Sequence, residues 1–247
     1  MKRHALLVGS TRGNNPLPMV TRDLNVMMNH LKSIKGGAWE ISEISMLCDT
    51  DVSTVNKKLI EISIQKNDFL FFYWSGHGGH NKDMNQLALE VSPKSDMYEA
   101  DFEKLAPRQL MIFDTCRTFF SENVASMESL RESKLFSTVD TNLRMIARQI
   151  YEVAVMSSPE GVQSFYSSEL GKPSNATSRH SKFTKCILDV AEQWYVATKS
   201  NIMAHASMLF VVDAATPCCQ TRGGGGSQTP DYAVPKSSNL FPFIVKP

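Results

Sequence analysis

The sequence predicts an α/β fold: a mostly parallel central sheet of about six strands sandwiched between helices. Three observations carry that expectation. Short β-branched and aromatic runs, residues 69–74 above all, are apolar throughout, as strands buried on both faces of a parallel sheet must be. They alternate with longer segments whose apolar residues recur every three to four positions, the pattern of helices that cover a sheet. The 247 residues, 42% hydrophobic and 21% charged, suffice for one sizeable core and argue against disorder.

The elements follow in order. Strand one is expected at 4–9. Its basic start and apolar run resemble a signal peptide, but the run is too short and Gly9-Ser10-Thr11-Arg12-Gly13 breaks it. The loop at 13–16 leads into a helix with Val20, Leu24, Met27, Met28 and Leu31 on one side, ended by Gly36-Gly37. Strand two is expected at 39–47. Asp51 or Ser53 caps a helix carrying Val55, Leu59 and Ile62. Strand three is 69–74, with a hairpin element at 86–91 and a short helix at 101–105 before strand four at 109–114. From 119 to 141 the chain turns polar and reads as a long loop with a helical piece. A helix at 142–151 and strand five at 152–156 come next, then a Gly/Pro/Ser/Asn loop at 171–178. Residues 182–198 form an amphipathic helix, and 207–212 read as a strand or a helix end. The glycine run 223–226 is a flexible surface loop inside a single domain spanning 1–247, because 240–245 reads as a last strand.

Bulk properties exclude several classes. A net charge of +1 offers no basic surface for nucleic acid, and no apolar run approaches the ~18–20 residues of a membrane span. Five cysteines, an odd and sparse set, do not make a disulfide framework. Cys48 and Cys186 read as inert core thiols, and the vicinal Cys218-Cys219 lacks CxxC spacing and a metal partner. A reducing, cytoplasmic location is therefore expected.

Chemistry concentrates at two strand ends. The third strand runs out in Ser75-Gly76-His77-Gly78-Gly79-His80, the fourth in Asp114-Thr115-Cys116-Arg117. Open α/β sheets place their sites beyond the carboxyl ends of strands. If the two strands are neighbours, right-handed crossovers bring His77 and Cys116 to one rim, a thiol beside its base. His77 and His80 have no third ligand at a sensible spacing, so no metal site is expected. His4, His30, His180 and His205 read as ordinary surface or core residues.

These motifs, in this order, resemble the caspase and metacaspase superfamily of cysteine peptidases. The likeness extends to Ala5-Leu6-Leu7-Val8-Gly9 with Asp23 in the first helix, to Ser157 through Phe165, and to Ser181-Lys182-Phe183-Thr184. It implies a caspase-like sandwich, large-subunit-like over 1–125 and small-subunit-like over 142–247, joined by the intersubunit-like loop 119–141. Cys116 would be the nucleophile and His77, 39 residues upstream, its base, with the Gly78 and Cys116 amides as oxyanion hole. Asp114, two residues before the cysteine, is the metacaspase choice and would line the specificity pocket with Ser75, favouring Arg, then Lys, before the scissile bond. Arg12 stands in the loop where relatives often carry another acid, and would alter the pocket if it entered it. Gln163 stands where paracaspases bear an acid.

Arg131, Lys134 and Arg144 are candidate self-cleavage sites. No cofactor is required; the resemblance raises calcium, for which Asp49, Asp51, Asp96 and Asp101 offer carboxylates without an EF-hand pattern. The implied partners are a protein or peptide substrate with a basic residue and an upstream activator, with no nucleic acid, no membrane and a monomeric enzyme. Small stand-alone members resemble bacterial forms, some of which serve in cell death or antiviral defence. The rival readings are a non-catalytic scaffold of the same fold and a transpeptidase of the legumain type.

Overall fold

The computed structural model describes residues 1–13, 15–93, 95–120, 141–177, 179–199, 203–221 and 226–247. The elements are β1 (Arg3–Gly9), α1 (Met19–Lys32), β2 (Ile44–Cys48), α2 (Val52–Gln65), β3 (Phe69–Ser75), β4 (Gly78–Asn81), β5 (Gln86–Ser92), β6 (Ser95–Tyr98) and β7 (Arg108–Asp114). They continue with β8 (Phe119–Phe120), α3 (Thr141–Ser157), β9 (Gly161–Tyr166), α4 (Lys182–Ala197), β10 (Ala204–Ser207), α5 (Met208–Gln220), β11 (Asp231–Ala233) and β12 (Pro242–Lys246). Most of the polar loop, with Arg131 and Lys134, and most of the glycine run lie outside the described residues.

Six strands form the main sheet in the order β11-β9-β7-β3-β1-β2, all parallel except β11. Period-2 alternation splits each strand between two cores. Ala5, Leu7, Phe69, Phe71, Tyr73, Leu110 and Ile112 pack with α1, α3, α4 and α5. Leu6, Val8, Leu70, Phe72, Trp74, Met111 and Phe113 pack with α2 and the β5–β6 hairpin of a second sheet, ordered β6-β5-β4-β8. Apolar cover on both faces is why β3 is hydrophobic at every one of its first six positions.

Several sequence expectations are corrected. Residues 152–156 are not a strand but the last turns of α3, whose buried Ala147, Tyr151, Ala154 and Val155 recur at helical spacing. The fifth parallel strand is β9, five residues further on. Strand two starts only at Ile44, because Glu40 and Glu43 form a reciprocal capping box around a 3₁₀ turn. The last strand, β12, lies outside the main sheet and pairs with β10 in a two-stranded ladder. Residues 208–220 are helical, and Asp51, not Ser53, caps α2 by accepting the Thr54 N–H at 2.6 Å.

The cysteine reading is also corrected. Cys186 of α4 is bonded to Cys218 of α5 across 32 residues, while Cys48, Cys116 and Cys219 are not in disulfides. Cys186 is thus no inert thiol, and cysteine usage does not argue for a reducing location. No helix among the described residues is long and apolar enough to cross a membrane. Closing a loop of this length is worth about 3–4 kcal/mol in the chain-entropy account. Cys186→Ser with Cys218→Ser should lower the unfolding free energy by about that amount, measured in denaturant without reductant. Thiol titration of the unfolded wild type should find three thiols, those of Cys48, Cys116 and Cys219.

Candidate active site

Strand register sets the geometry. Gly9 stands opposite Ser75, and Ser75 opposite Asp114, so β1, β3 and β7 end level at one rim. His77 and Cys116 each follow two residues past those ends and line the same cleft of ≈ 90 Å³, together with Ser75, Asp114, Asp23 and Ser174. Glycine makes the turn feasible. A Cβ at Gly78 would lie 2.6 Å from the Ala88 carbonyl oxygen and 2.6 Å from Thr115 Oγ1. At Gly13, where φ is +135°, a Cβ would lie 2.4 Å from His77 Cδ2, so the backbone itself walls the imidazole.

His77 Nε2 lies 2.6 Å from the carbonyl oxygen of Asn15. A carbonyl only accepts, so Nε2 carries the hydrogen and a neutral ring keeps its lone pair on Nδ1. The half-buried Cys116 sulfur is held by one residue: Ser174 N–H donates to Sγ at 3.3 Å, and the thiol donates to the Ser174 carbonyl at 3.6 Å. Burial pushes the Cys116 thiol pKa up and the negative charge of Asp114 adds to the shift, against the Ser174 N–H, which lowers it.

Asp114 is buried and surrounded by donors. Its Oδ2 accepts from the Ser181 hydroxyl, from Thr184 N–H at 3.1 Å and from Thr184 Oγ1 at 2.6 Å, and its Oδ1 lies 3.4 Å from Ser174 Oγ. Tyr73 OH lies 2.6 Å from Thr184 Oγ1, extending the chain into the core. Asp23, on α1 and fully buried, accepts from His180 Nδ1 and from Ser181 N–H, each at 3.0 Å. Desolvation, then the charge of Asp23, pushes Asp114 up to about 6. Desolvation likewise raises Asp23, against the bonds from His180 and Ser181. Among the described residues no Lys or Arg side chain pairs with either acid.

The other expected site residues lie elsewhere. Gln163 is buried in β9, where its Oε1 accepts the Phe241 N–H at 3.1 Å, and it is not part of the cleft wall. Arg12 does not enter the pocket: it is half exposed and leans toward Asp49 at 3.9 Å. Arg144 sits in α3, bonded to the Lys32 carbonyl at 2.9 Å, rather than in an extended segment that a peptidase could seize. Arg131 and Lys134 are outside the described residues. Of the aspartates raised for calcium, Asp49 accepts from Thr11, Asp51 caps α2 and Asp101 accepts the Tyr98 N–H. No three His, Cys, Asp or Glu side chains converge as a metal site among the described residues. Among the described residues, no such set fits calcium.

Asp23 is a site residue to which the family resemblance assigns no role. The signal was there: it lies on the apolar side of α1, between Val20 and Leu24, where an acid needs a reason.

The fold is an α/β sandwich whose level sheet rim carries a thiol, an imidazole and two buried acids in one cleft. The Caspase domain family model matches residues 2–239, and the chain belongs to that family, which is one of cysteine peptidases. Metacaspase-1 of Candida glabrata is 33% identical over 119 residues, covering 43% of this chain and 29% of that protein, so the chain spans under a third of its length. Solved structures with the same fold include protein GSU0716 of Geobacter sulfurreducens, with TM-score 0.62, 13% identity and 100% of both chains covered. Caspase-1 of Spodoptera frugiperda matches with TM-score 0.59 and 10% identity over 94% of this chain and 86% of that one. The Drosophila initiator caspase Dronc matches with TM-score 0.56 and 12% identity over 97% and 80%. At such identities the structures carry the fold alone.

The Asp114 carboxyl has a pKa near 6 in the folded chain against an ordinary 3.8. Its ionisation therefore disfavours the fold, and stability falls as pH rises between those values. Asp114→Asn should accordingly raise the melting temperature by several degrees at pH 7.5 and leave it nearly unchanged at pH 4.

Proposed function

We propose that the protein is a cysteine endopeptidase that cleaves after arginine, and less readily after lysine, through a Cys116 acyl-enzyme. The observation that carries this reading is the pair of buried acids, Asp114 and Asp23, in the cleft that Cys116 and His77 share. A guanidinium would offer Asp114 the counter-charge that its hydroxyl and amide donors cannot, and would do so with bidentate geometry. An acidic side chain would meet two carboxylates in a low-dielectric site.

The chemistry follows from the atoms in place. Once a substrate displaces Ser174 from the sulfur, the thiol proton passes to His77 Nδ1 and Sγ bonds to the scissile carbonyl carbon. The oxyanion lies against the backbone amides of Gly78 and Cys116; one such donor is worth ~2.7–4 kcal/mol in other peptidases. His77 then gives its proton to the leaving amine as the C–N bond breaks, leaving a thioester. Water, losing a proton to His77, hydrolyses the thioester and restores the thiol. The Asn15 carbonyl steadies the imidazolium through Nε2–H in both halves.

A sulfur capped by Ser174, with burial opposing its ionisation, supports an enzyme that waits for an activating event; the reading takes it as a monomer acting on protein substrates. A place in regulated cell death or defence rests on the resemblance alone. Arg131 and Lys134 remain the proposed self-cleavage positions.

Fluorogenic peptides differing only in Arg, Lys, Asp or Asn before the scissile bond, with and without calcium, test the reading. Arg should be cut fastest, Cys116→Ala should lose all turnover, and Asp114→Ala should lower kcat/KM for Arg peptides by about a hundredfold, the weight of a buried charged pair. Preference for Asp or Asn would overturn the specificity. For self-cleavage, Arg131→Ala with Lys134→Ala should leave the chain uncut; two fragments parting at this segment would refute those positions.

A further inference from the structure

We propose that Gln228 is a positioning residue whose buried carboxamide fastens the strap of residues 171–177 to the turn that carries Cys116. The inference rests on the cysteine-peptidase reading and names what holds its cleft wall in place. Gln228 follows the glycine run, is 3% exposed, and uses both ends of its amide. Oε1 accepts the Asn175 N–H at 2.6 Å, and Nε2 donates to the Ser167 carbonyl at 2.9 Å.

Each partner leads directly to the nucleophile. The Ser167 hydroxyl accepts the Thr115 N–H at 3.1 Å and donates to the Thr115 carbonyl at 2.9 Å, gripping the backbone just ahead of Cys116. Asn175 adjoins Ser174, whose backbone meets the Cys116 sulfur on two sides. The start of the strap is joined to the cysteine turn directly, by Gly171 N–H to the Arg117 carbonyl at 2.9 Å and Arg117 N–H to the Lys172 carbonyl at 3.0 Å; the planar amide of Gln228 adds the tie at its middle, where Ser174, Asn175 and Ala176 line the cleft.

The mounting behind it is firm. Gln228 N–H donates to the Cys219 carbonyl at 3.1 Å, at the end of α5, which the Cys186–Cys218 bond ties to α4. Two lesser bonds run the same way: Asn175 Nδ2 to the Ser227 carbonyl at 3.3 Å, and Lys182 Nζ to the Gly226 carbonyl at 2.7 Å. The chemistry requires one donor and one acceptor on a single flat group. A methionine fills the space and bonds nothing, whereas a glutamate keeps the acceptor for Asn175 and loses the donor for Ser167.

Hydrogen exchange and kinetics on the full chain test this. In Gln228→Met, peptides covering 171–177 should exchange about tenfold faster, the size expected from a lost buried hydrogen bond, while peptides from β1, β3 and β7 stay unchanged. KM for an Arg peptide should rise about tenfold with kcat within about threefold, because the strap is loosened and the reacting groups are not. Gln228→Glu should recover part of the exchange protection. Unchanged strap exchange in folded Gln228→Met overturns the proposal whether or not the protein cleaves anything. Absence of wild-type turnover counts against the peptidase reading instead, and the exchange data still decide Gln228. Should Gln228→Met fail to fold, Gln228→Glu is judged in its place: loss of the Ser167 bond must quicken strap exchange, and wild-type exchange there overturns the proposal.

Discussion

The pairing of β3 with β7 is the constraint on which the site depends. Seven residues of each run parallel in unbroken register from Phe69↔Arg108 to Ser75↔Asp114. A slip of one residue would turn Phe72 and Trp74 out of one core and Phe71 and Tyr73 out of the other. Because both faces are buried, that slip is expensive, and the rim positions of His77 and Cys116 inherit the precision of the aromatic packing beneath them. Hydrophobic patterning and reactive geometry are here one specification.

Above that rim the arrangement is polar and drawn from distant parts of the chain. α1 supplies Asp23, the start of α4 supplies Ser181 and Thr184, and the strap supplies Ser174. Asp114 is served by donors yet, among the described residues, meets no Lys or Arg side chain. Its electrostatic discomfort is held in place by the fold, as expected where binding has been favoured over stability. The strap serves two ends at once. Ser174 bonds the sulfur, and with Asn175 and Ala176 it walls the cleft.

Much of this was legible in the sequence because it is encoded locally. The parallel strands β1, β3 and β7 announce themselves by apolar runs ending in turns, and the two reactive residues sit immediately after two of them. Local ambiguity produced the misread strand: the Val-Ala-Val stretch at 153–155 suits either element, and only the burial of Tyr151, Ala154 and Val155 on one side shows a helix. β11 has three residues and no pattern of its own; the open edge of β9 makes it a strand. The Cys186–Cys218 bond depends on how α4 packs on α5, which spacing does not reveal. Gln163 and Arg12 were placed by likeness to relatives, and the packing of Phe241 and Asp49 draws their side chains elsewhere.

The nearness of Asp114 to the sulfur has one more implication. Its negative charge is among the forces that keep Cys116 from ionising. If, as proposed, a cationic side chain seats against Asp114, it would offset that field and make the thiolate easier to form when such a peptide arrives. Recognition and reactivity are then joined through a single carboxylate: a mismatched peptide would meet a sluggish nucleophile as well as a poor fit, and selectivity would be expressed in turnover as much as in affinity.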